Sequence, residues 1–391
     1  MTELNIGVIG CGGRGGVASH AHRPDKGIKL VAAADIVREH LESFRKDYGP
    51  DVFVTKDYRE LLAREDIHAV FITTPDYLHE EQTLAALDAG KHVYLEKPMA
   101  ITIEGCDKIL QKAYDKKLKL YLGHNMRHMG FILKMKELID SGVIGEVKAG
   151  WCRHFIGYGG DAYFKDWHAD RTKSTSLLLQ KGAHDIDILH WLCGGYSRTV
   201  SAMGDLGVYS QIADRHDGSE RADVSWHDEN WPPLSQKGLN PVIDVEDLSM
   251  MLMTLDNGVH CSYQQCHYTP DSWRNYTIIG TKGRIENFGD NPGECVVRVW
   301  NSRKAYNPYG DEQYFMKPEA GSHGGADPRI VHEFVRWITK GGKIATSPVA
   351  ARNSVAAGCM ATESLRNGAQ PQSVPGLPPE LVEYFDKPRN M

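Results

Sequence analysis

Residues 4–15 read LNIGVIGCGGRG, an apolar strand-like run followed at once by Gly10-x-Gly12-x-x-Gly15. Glycines at that spacing suit a tight turn, close approach of a pyrophosphate to the backbone, and a helix start whose unpaired N–H groups face phosphate. Alone, the triplet is a common glycine-rich turn. Asp35 lies twenty positions after Gly15, at the end of the second apolar run IKLVAAAD. A carboxylate there accepts hydrogen bonds from the adenosine ribose hydroxyls, so the joint pattern reads as a dinucleotide site. The same charge repels a 2′-phosphate, and NAD is expected over NADP. Arg38, three residues on, reads either as a solvated helix-surface arginine or as a ligand for that phosphate.

Outward from this turn, the runs HAVFITT, KHVYLE and LKLYLG alternate with helical stretches near residues 36 to 48, 78 to 89 and 102 to 116. That alternation predicts an α/β Rossmann domain over 1–124, a parallel sheet with helices on both faces. The pattern then changes. Longer alternating runs such as EVKAGWCRHF, EDLSMMLMTL, GVHCSYQQCHY and NYTIIGT are separated by turn signals at Asp256-Asn257-Gly258 and Lys282-Gly283. They predict an α+β domain over 125–391 with a large open antiparallel sheet, for substrate binding and oligomerisation. One helix, HDIDILHWLC, interrupts it and stops at Gly194-Gly195. Two more are expected near 327 to 340 and 349 to 367, while the polar stretch 209–242 reads as a long loop, lid or contact arm.

Composition narrows the partners. The chain has 391 residues, 41% hydrophobic and 25% charged, with net charge −6. This suits two ordinary globular domains and lacks the basic surplus of a nucleic-acid binder. No basic leader with an apolar run and no membrane-length apolar stretch is visible, so a cytoplasmic protein with no membrane partner is expected. The eight cysteines are scattered without a C-x-x-C pair and read as reduced thiols. His184, Asp187 and His190 could crowd one region, but their spacing is not H-E-x-x-H, and no metal is expected.

The chemistry is sought at strand ends. Thr73-Thr74-Pro75 closes the run HAVFITT and Glu96-Lys97-Pro98 the run KHVYLE, the edge where ligands of such sheets bind. A lysine there can donate to a reacting hydroxyl or its developing oxyanion. With GVIGCGGRG, ITTPDYLHEEQTLAALDAGKHVYLEKPMA, GAHDIDILHWLCG and IIGTKGRIEN, the sequence resembles the glucose-fructose oxidoreductase and inositol 2-dehydrogenase (Gfo/Idh/MocA) family over nearly its whole length. The resemblance implies a Rossmann domain followed by a sheet domain. It also implies a homo-oligomer, dimer or tetramer, and an NAD-dependent dehydrogenase moving a hydride between nicotinamide and a secondary hydroxyl of a sugar, glycoside or cyclitol. Lys97 and His184 match the family's two reactive positions, and imidazole titrates near neutral pH, as a general base should.

The cofactor set is thus Gly10, Gly12, Gly13, Arg14, Gly15, Asp35, Arg38, Thr73, Thr74, Pro75, His79, Glu96, Lys97 and Asn125. The substrate set is Lys97, Arg127, Tyr163, Trp167, His168, Gln180, Lys181 and His184. Polyols need several hydrogen-bonding groups and an aromatic face for ring C–H groups, and this set offers both. One departure stands out. Family dehydrogenases commonly carry Asp four residues before the histidine, where this chain has Gln180, which can orient the ring but supplies no charge. Lys181 reads as a surface partner of Asp185 or as a second substrate ligand. The alternatives to a dehydrogenase are a glycoside-cleaving enzyme that oxidises only transiently, and a non-catalytic NAD or sugar-binding regulator.

Overall fold

The apolar run from Leu4 forms β1 (Leu4–Ile9). It lies at the centre of a six-stranded parallel sheet with β2 (Ile28–Ala34), β3 (Phe53–Thr55), β4 (Ala69–Ile72), β5 (His92–Leu95) and β6 (Leu120–Leu122), in the order β3-β2-β1-β4-β5-β6. A strand covered on both faces has no solvent side, hence the near-continuous apolar spelling of β1 and β4. The strand order reverses between β1 and β4, the topological switch where such sheets bind ligands. The structure, a computed structural model, describes residues 3–218, 224–291, 293–319 and 321–386.

The crossover helices Arg38–Tyr48, His79–Asp88 and Ile103–Lys116 fall where the apolar spacing predicts them. The segment after the glycine turn does not. Gly13–Ala21 is a 3₁₀ helix rather than an α-helix. Glycines at 13, 15 and 16 weaken α-helical propensity, and the Gly15 N–H closes a tight i to i+3 bond on the Gly12 carbonyl at 2.7 Å.

The second sheet has nine strands: β7 (Val147–Phe155), β8 (Ser197–Asp205), β9 (Leu248–Leu255), β10 (His260–Cys266), β11 (Trp273–Gly280), β12 (Arg284–Phe288), β13 (Val296–Trp300), β14 (Glu312–Phe315) and β15 (Gln372–Ser373). It departs from the antiparallel expectation at one pair, because β10 runs parallel to β7, with His154 opposite Gln265. The chain between them includes the helix Gly182–Cys193 and the strands β8 and β9, long enough for a crossover, so the sheet is mixed. Across β7, β10 and β11 the register aligns Cys152 and His154 with Tyr263 and Gln265 and with Arg274 and Tyr276, all on one face. The opposite face leaves Met203, Met250 and Leu252 exposed.

The division into domains also departs from 1–124 and 125–391. One compact unit comprises Met1–His128, Gly321–Arg352 and Leu377–Met391, and the other Met129–Ala320 and Asn353–Gly376. The reason is the late helix Ala326–Lys340. Its stripe of Ile330, Val331, Phe334, Val335 and Ile338 belongs to the same core as Leu4, Ile6, Phe71, Tyr94 and Tyr121. Phe334 meets Phe71 edge-on at 5.3 Å and Tyr94 at 5.5 Å between ring centroids. Phe334→Ala should therefore cost about 3–5 kcal/mol. Urea unfolding followed by far-ultraviolet circular dichroism checks this, and an unchanged midpoint would show that the late helix is not part of this core.

Candidate active site

The glycine turn is built from close approaches. Gly10 has φ of +83°, and a Cβ there would lie 2.8 Å from the Thr74 side chain. A Cβ at Gly15 would meet the Gly10 carbonyl oxygen at 2.3 Å, and one at Gly12 would strike the His40 ring at 2.1 Å. At Gly13 and Gly16 nothing lies within 4 Å of that position. Side chains are excluded below the turn while room is left above it, which is the shape a bound pyrophosphate needs.

Asp35 follows β2 directly. Its carboxylate accepts from the backbone N–H of Gly12 at 3.2 Å and of Val37 at 2.9 Å, and lies 3.1 Å from His40 Nδ1. It fixes the turn from the end of β2. Burial, with the Asp35 charge beside it, pushes the Cys11 thiol up to about 12, so the cysteine in the turn stays protonated. Arg38 is exposed and donates to Glu42 at 2.7 Å across one helical turn.

The strand-end loops are braced from beneath. Thr73 donates its hydroxyl to the Gly10 carbonyl at 2.7 Å, and Thr74 to Gln82 at 2.6 Å. Pro75 leads into a short 3₁₀ turn, Asp76–Leu78. His79 is fully buried, with its ring nitrogens 2.7 Å from the Pro98 carbonyl and 2.9 Å from that of Thr74. Burial lowers its pKa while the two carbonyls, which only accept, raise it; a neutral ring donates to one of the two loops and a protonated ring to both.

Lys97 is partly exposed between buried Glu96 and Pro98. Glu96 accepts from Arg14 Nε at 2.8 Å, and Arg14 forms a two-pronged pair with Asp327 at 2.8 and 3.0 Å. Asp327 also accepts from Asn125 at 2.9 Å and lies 2.8 Å from His323 Nδ1. Three residues expected at the cofactor are thus locked together by an aspartate that the sequence reading missed. Its signal lay in Gly324-Gly325-Ala326-Asp327-Pro328, an acidic first turn of a helix. Arg127 is buried and donates to the Ala345 carbonyl at 2.6 Å, a structural bond rather than a free substrate contact.

In the other unit the helix Gly182–Cys193 lies on the face of β7, β10 and β11 described above, and Asp185 is the residue it sinks into that face. Asp185 is fully buried. It accepts from Arg274 Nε at 3.0 Å and Tyr263 at 3.2 Å, takes a short bond from Tyr276, and lies 3.1 Å from His154 Nδ1. Burial opposes its charge, but Arg274 first and then these donors hold its carboxyl well below the usual carboxylate range. Burial and Arg274 lower His154 to about 3, so it serves as a neutral donor.

With Asp185 pinned, His184 is the one residue of Gly182–His190 that remains partly exposed. His190 turns away, its Nε2 2.8 Å from the Ser197 hydroxyl. Lys181 is not a surface partner of Asp185. It is 9% exposed and donates to the Tyr158 hydroxyl at 3.3 Å. Tyr163 packs edge-on against His168 at 5.0 Å, and His168 stacks on Trp167 at 3.8 Å, so these three expected residues meet. Gln180 is buried.

Arg274→Met leaves the Asp185 charge buried without its cation, and should destabilise the protein by about 3–5 kcal/mol near neutral pH. The sign follows from the lowered carboxyl. Its stabilisation is present above the unfolded-chain value of about 3.9 and is lost as pH falls below it. Denaturant midpoints across the acid range should therefore converge for the wild type and Arg274→Met. A constant gap at all pH values would remove the ion pair from the account.

Comparison with known proteins divides the chain after residue 124. Residues 4–124 match the family described as "Oxidoreductase family, NAD-binding Rossmann fold" and residues 136–374 its "C-terminal alpha/beta domain". A levoglucosan dehydrogenase from Pseudarthrobacter phenanthrenivorans is 25% identical over 89% of this chain and 92% of its own. An inositol 2-dehydrogenase from Azotobacter vinelandii is 36% identical, but over 48% of this chain and 54% of its own, so that match spans about half of each protein. A solved levoglucosan dehydrogenase in complex with NADH and L-sorbose shares the fold, with TM-score 0.75 at 23% identity over 96% of this chain and all of that one. Matched in both its Rossmann turn and its sheet domain, this chain belongs to the Gfo/Idh/MocA family of NAD-binding oxidoreductases.

Proposed function

We propose that the protein oxidises a secondary hydroxyl on a sugar, glycoside or cyclitol ring, with Lys97 and His184 as its catalytic residues. The observation that carries this reading is a shared arrangement. Each of the two residues is partly exposed, and each is flanked by side chains buried in a fixed network. NAD, when bound at the glycine turn, supplies the hydride acceptor. Lys97 donates to the reacting oxygen and stabilises its negative charge, and His184 accepts the hydroxyl proton. Trp167, Tyr163 and His168 offer the rings and polar edges a polyol needs. The names of the levoglucosan and inositol dehydrogenase relatives support the substrate class.

The protein is further proposed to be a cytoplasmic homo-oligomer. Met203 pairs across the strands with Met250, and Ser201 with Leu252, so the exposed face of β8 and β9 carries an apolar patch suited to self-association. Among the described residues no helix is long and apolar enough to cross a membrane.

Screening NAD reduction over cyclitols, aldoses and glycosides tests the activity. Glycoside cleavage without net NADH would instead favour transient oxidation. Asp35→Ser should narrow the preference for NAD over NADP, read from the ratio of kcat/KM for the two, and a wild type that prefers NADP would refute the ribose reading.

Lys97→Met and His184→Ala should each lower kcat on the order of a hundredfold while NADH binding, read by fluorescence, stays near wild type. The double variant should lose far less than the product of the two, as groups serving one step do. Fully multiplicative losses would separate their roles. Gln180→Asp should shift the rising limb of the oxidation rate to higher pH, because a carboxylate one helical turn away favours imidazolium.

A further inference from the structure

Lys181 poses a charge problem. Its ammonium is 9% exposed, and among the described residues no carboxylate lies within ion-pair distance of it. Arg274 does have acidic partners, Asp185 at 3.0 Å and Asp290 at 3.5 Å. What Lys181 has is phenols. Its Nζ donates to Tyr158 Oη at 3.3 Å and sits 5.6 Å from the centre of that ring and 5.2 Å from the Tyr163 ring. A buried cation with only phenols around it favours any phenol that can become anionic.

Tyr158 and Tyr163 are not equivalent. Both are partly exposed, with ring centroids 5.9 Å apart. Lys181 lowers the Tyr158 hydroxyl below its ordinary value, whereas burial raises that of Tyr163. The charged and titratable groups facing Tyr158 are Lys181 at the start of the His184 helix, Arg274 from β11, and Tyr163. His154 on β7 and His267 after β10 face Lys181, and burial keeps both rings neutral. No negative charge in this set opposes a phenolate.

Helical spacing links this pair to His184. Lys181 has αR backbone angles and stands three residues before His184, so the two share a helix face. We propose that Tyr158, held by Lys181, is a second proton-exchanging group of the substrate site and receives from His184 the proton taken from the ring alcohol. This rests on the dehydrogenase reading above and names an acceptor beyond His184. In the step, the O–H bond breaks as its proton passes to His184 and from there to the Tyr158 oxygen, and the carbinol C–H pair leaves as hydride to NAD. A C=O bond forms, the substrate loses two electrons that NAD gains, and the phenol releases its proton to solvent before the next turnover.

The test uses the full chain and two independent readouts. The first needs neither substrate nor NAD. An ultraviolet difference titration of tyrosinate, wild type against Tyr158→Phe, should reveal one tyrosine ionising below the usual value of about 10. Lys181→Met should move that ionisation upward, and Lys181→Arg should restore it in part. The second readout is kinetic. Tyr158→Phe should lower kcat for oxidation on the order of a hundredfold, leave KM and NADH binding near wild type, and remove the rise of kcat with pH that wild type shows below the ordinary tyrosine range.

Absence of any low-titrating tyrosine overturns the proposal. So does a Tyr158→Phe variant with wild-type kcat and pH profile, or one altered only in KM. If no alcohol reduces NAD, the dehydrogenase reading falls by itself, and the titration still decides whether the pair exists.

Discussion

A carboxylate removed from water must be neutralised or matched by donors, because leaving it charged and unpaired costs several kcal/mol. Asp185 meets that requirement with four side chains from three adjacent strands: His154, Tyr263, Arg274 and Tyr276. Those residues converge only because β7, β10 and β11 hold one register, and a slip by one residue would turn each of them to the other face. The helix that carries Asp185 is thereby fixed in rotation as well as position. His184, the preceding residue, points elsewhere by helical geometry and so remains open to solvent.

The first unit uses the same device around Asp327. Arg14 leaves the glycine turn, Glu96 closes β5, Asn125 follows β6, and one buried aspartate draws them together. Lys97 follows Glu96, just as His184 precedes Asp185. In each unit the residue proposed for chemistry is a chain neighbour of a buried acid whose geometry is over-determined. Rigid support of this kind holds a reacting group in place without requiring it to be buried itself.

Local signals made much of this legible in the sequence. Gly10, Gly12, Gly15 and Asp35 announce themselves because a turn and a strand end constrain residue type at short range, and Gly194 marks the end of the His184 helix in the same way. Partners distant along the chain were not legible. Nothing near Arg14 indicates Asp327, and nothing near Asp185 indicates Arg274. The parallel pairing of β7 with β10 and the transfer of the late helix to the first unit are likewise decided by packing rather than by periodicity. Lys181 shows the consequence most clearly. Asp185, one helical turn on, offered the obvious partner, but its carboxylate is taken up by Arg274 and the donors of three strands, and Tyr158 holds the ammonium instead.

The neutral side chain of Gln180 therefore has to be weighed with Lys181. A histidine base is usually supported by a carboxylate that balances the imidazolium it becomes. On this helix Asp185 is already saturated by its own donors, and Gln180 is neutral. Lys181 brings to this helix turn an ammonium whose hydrogen-bond partner is the Tyr158 hydroxyl. A cation there favours negative charge on whatever oxygen it meets, a phenolate or an alkoxide forming from a ring hydroxyl. With Gln180 neutral, a cation at this turn favours the oxygen that gives the proton up over the ring that takes it.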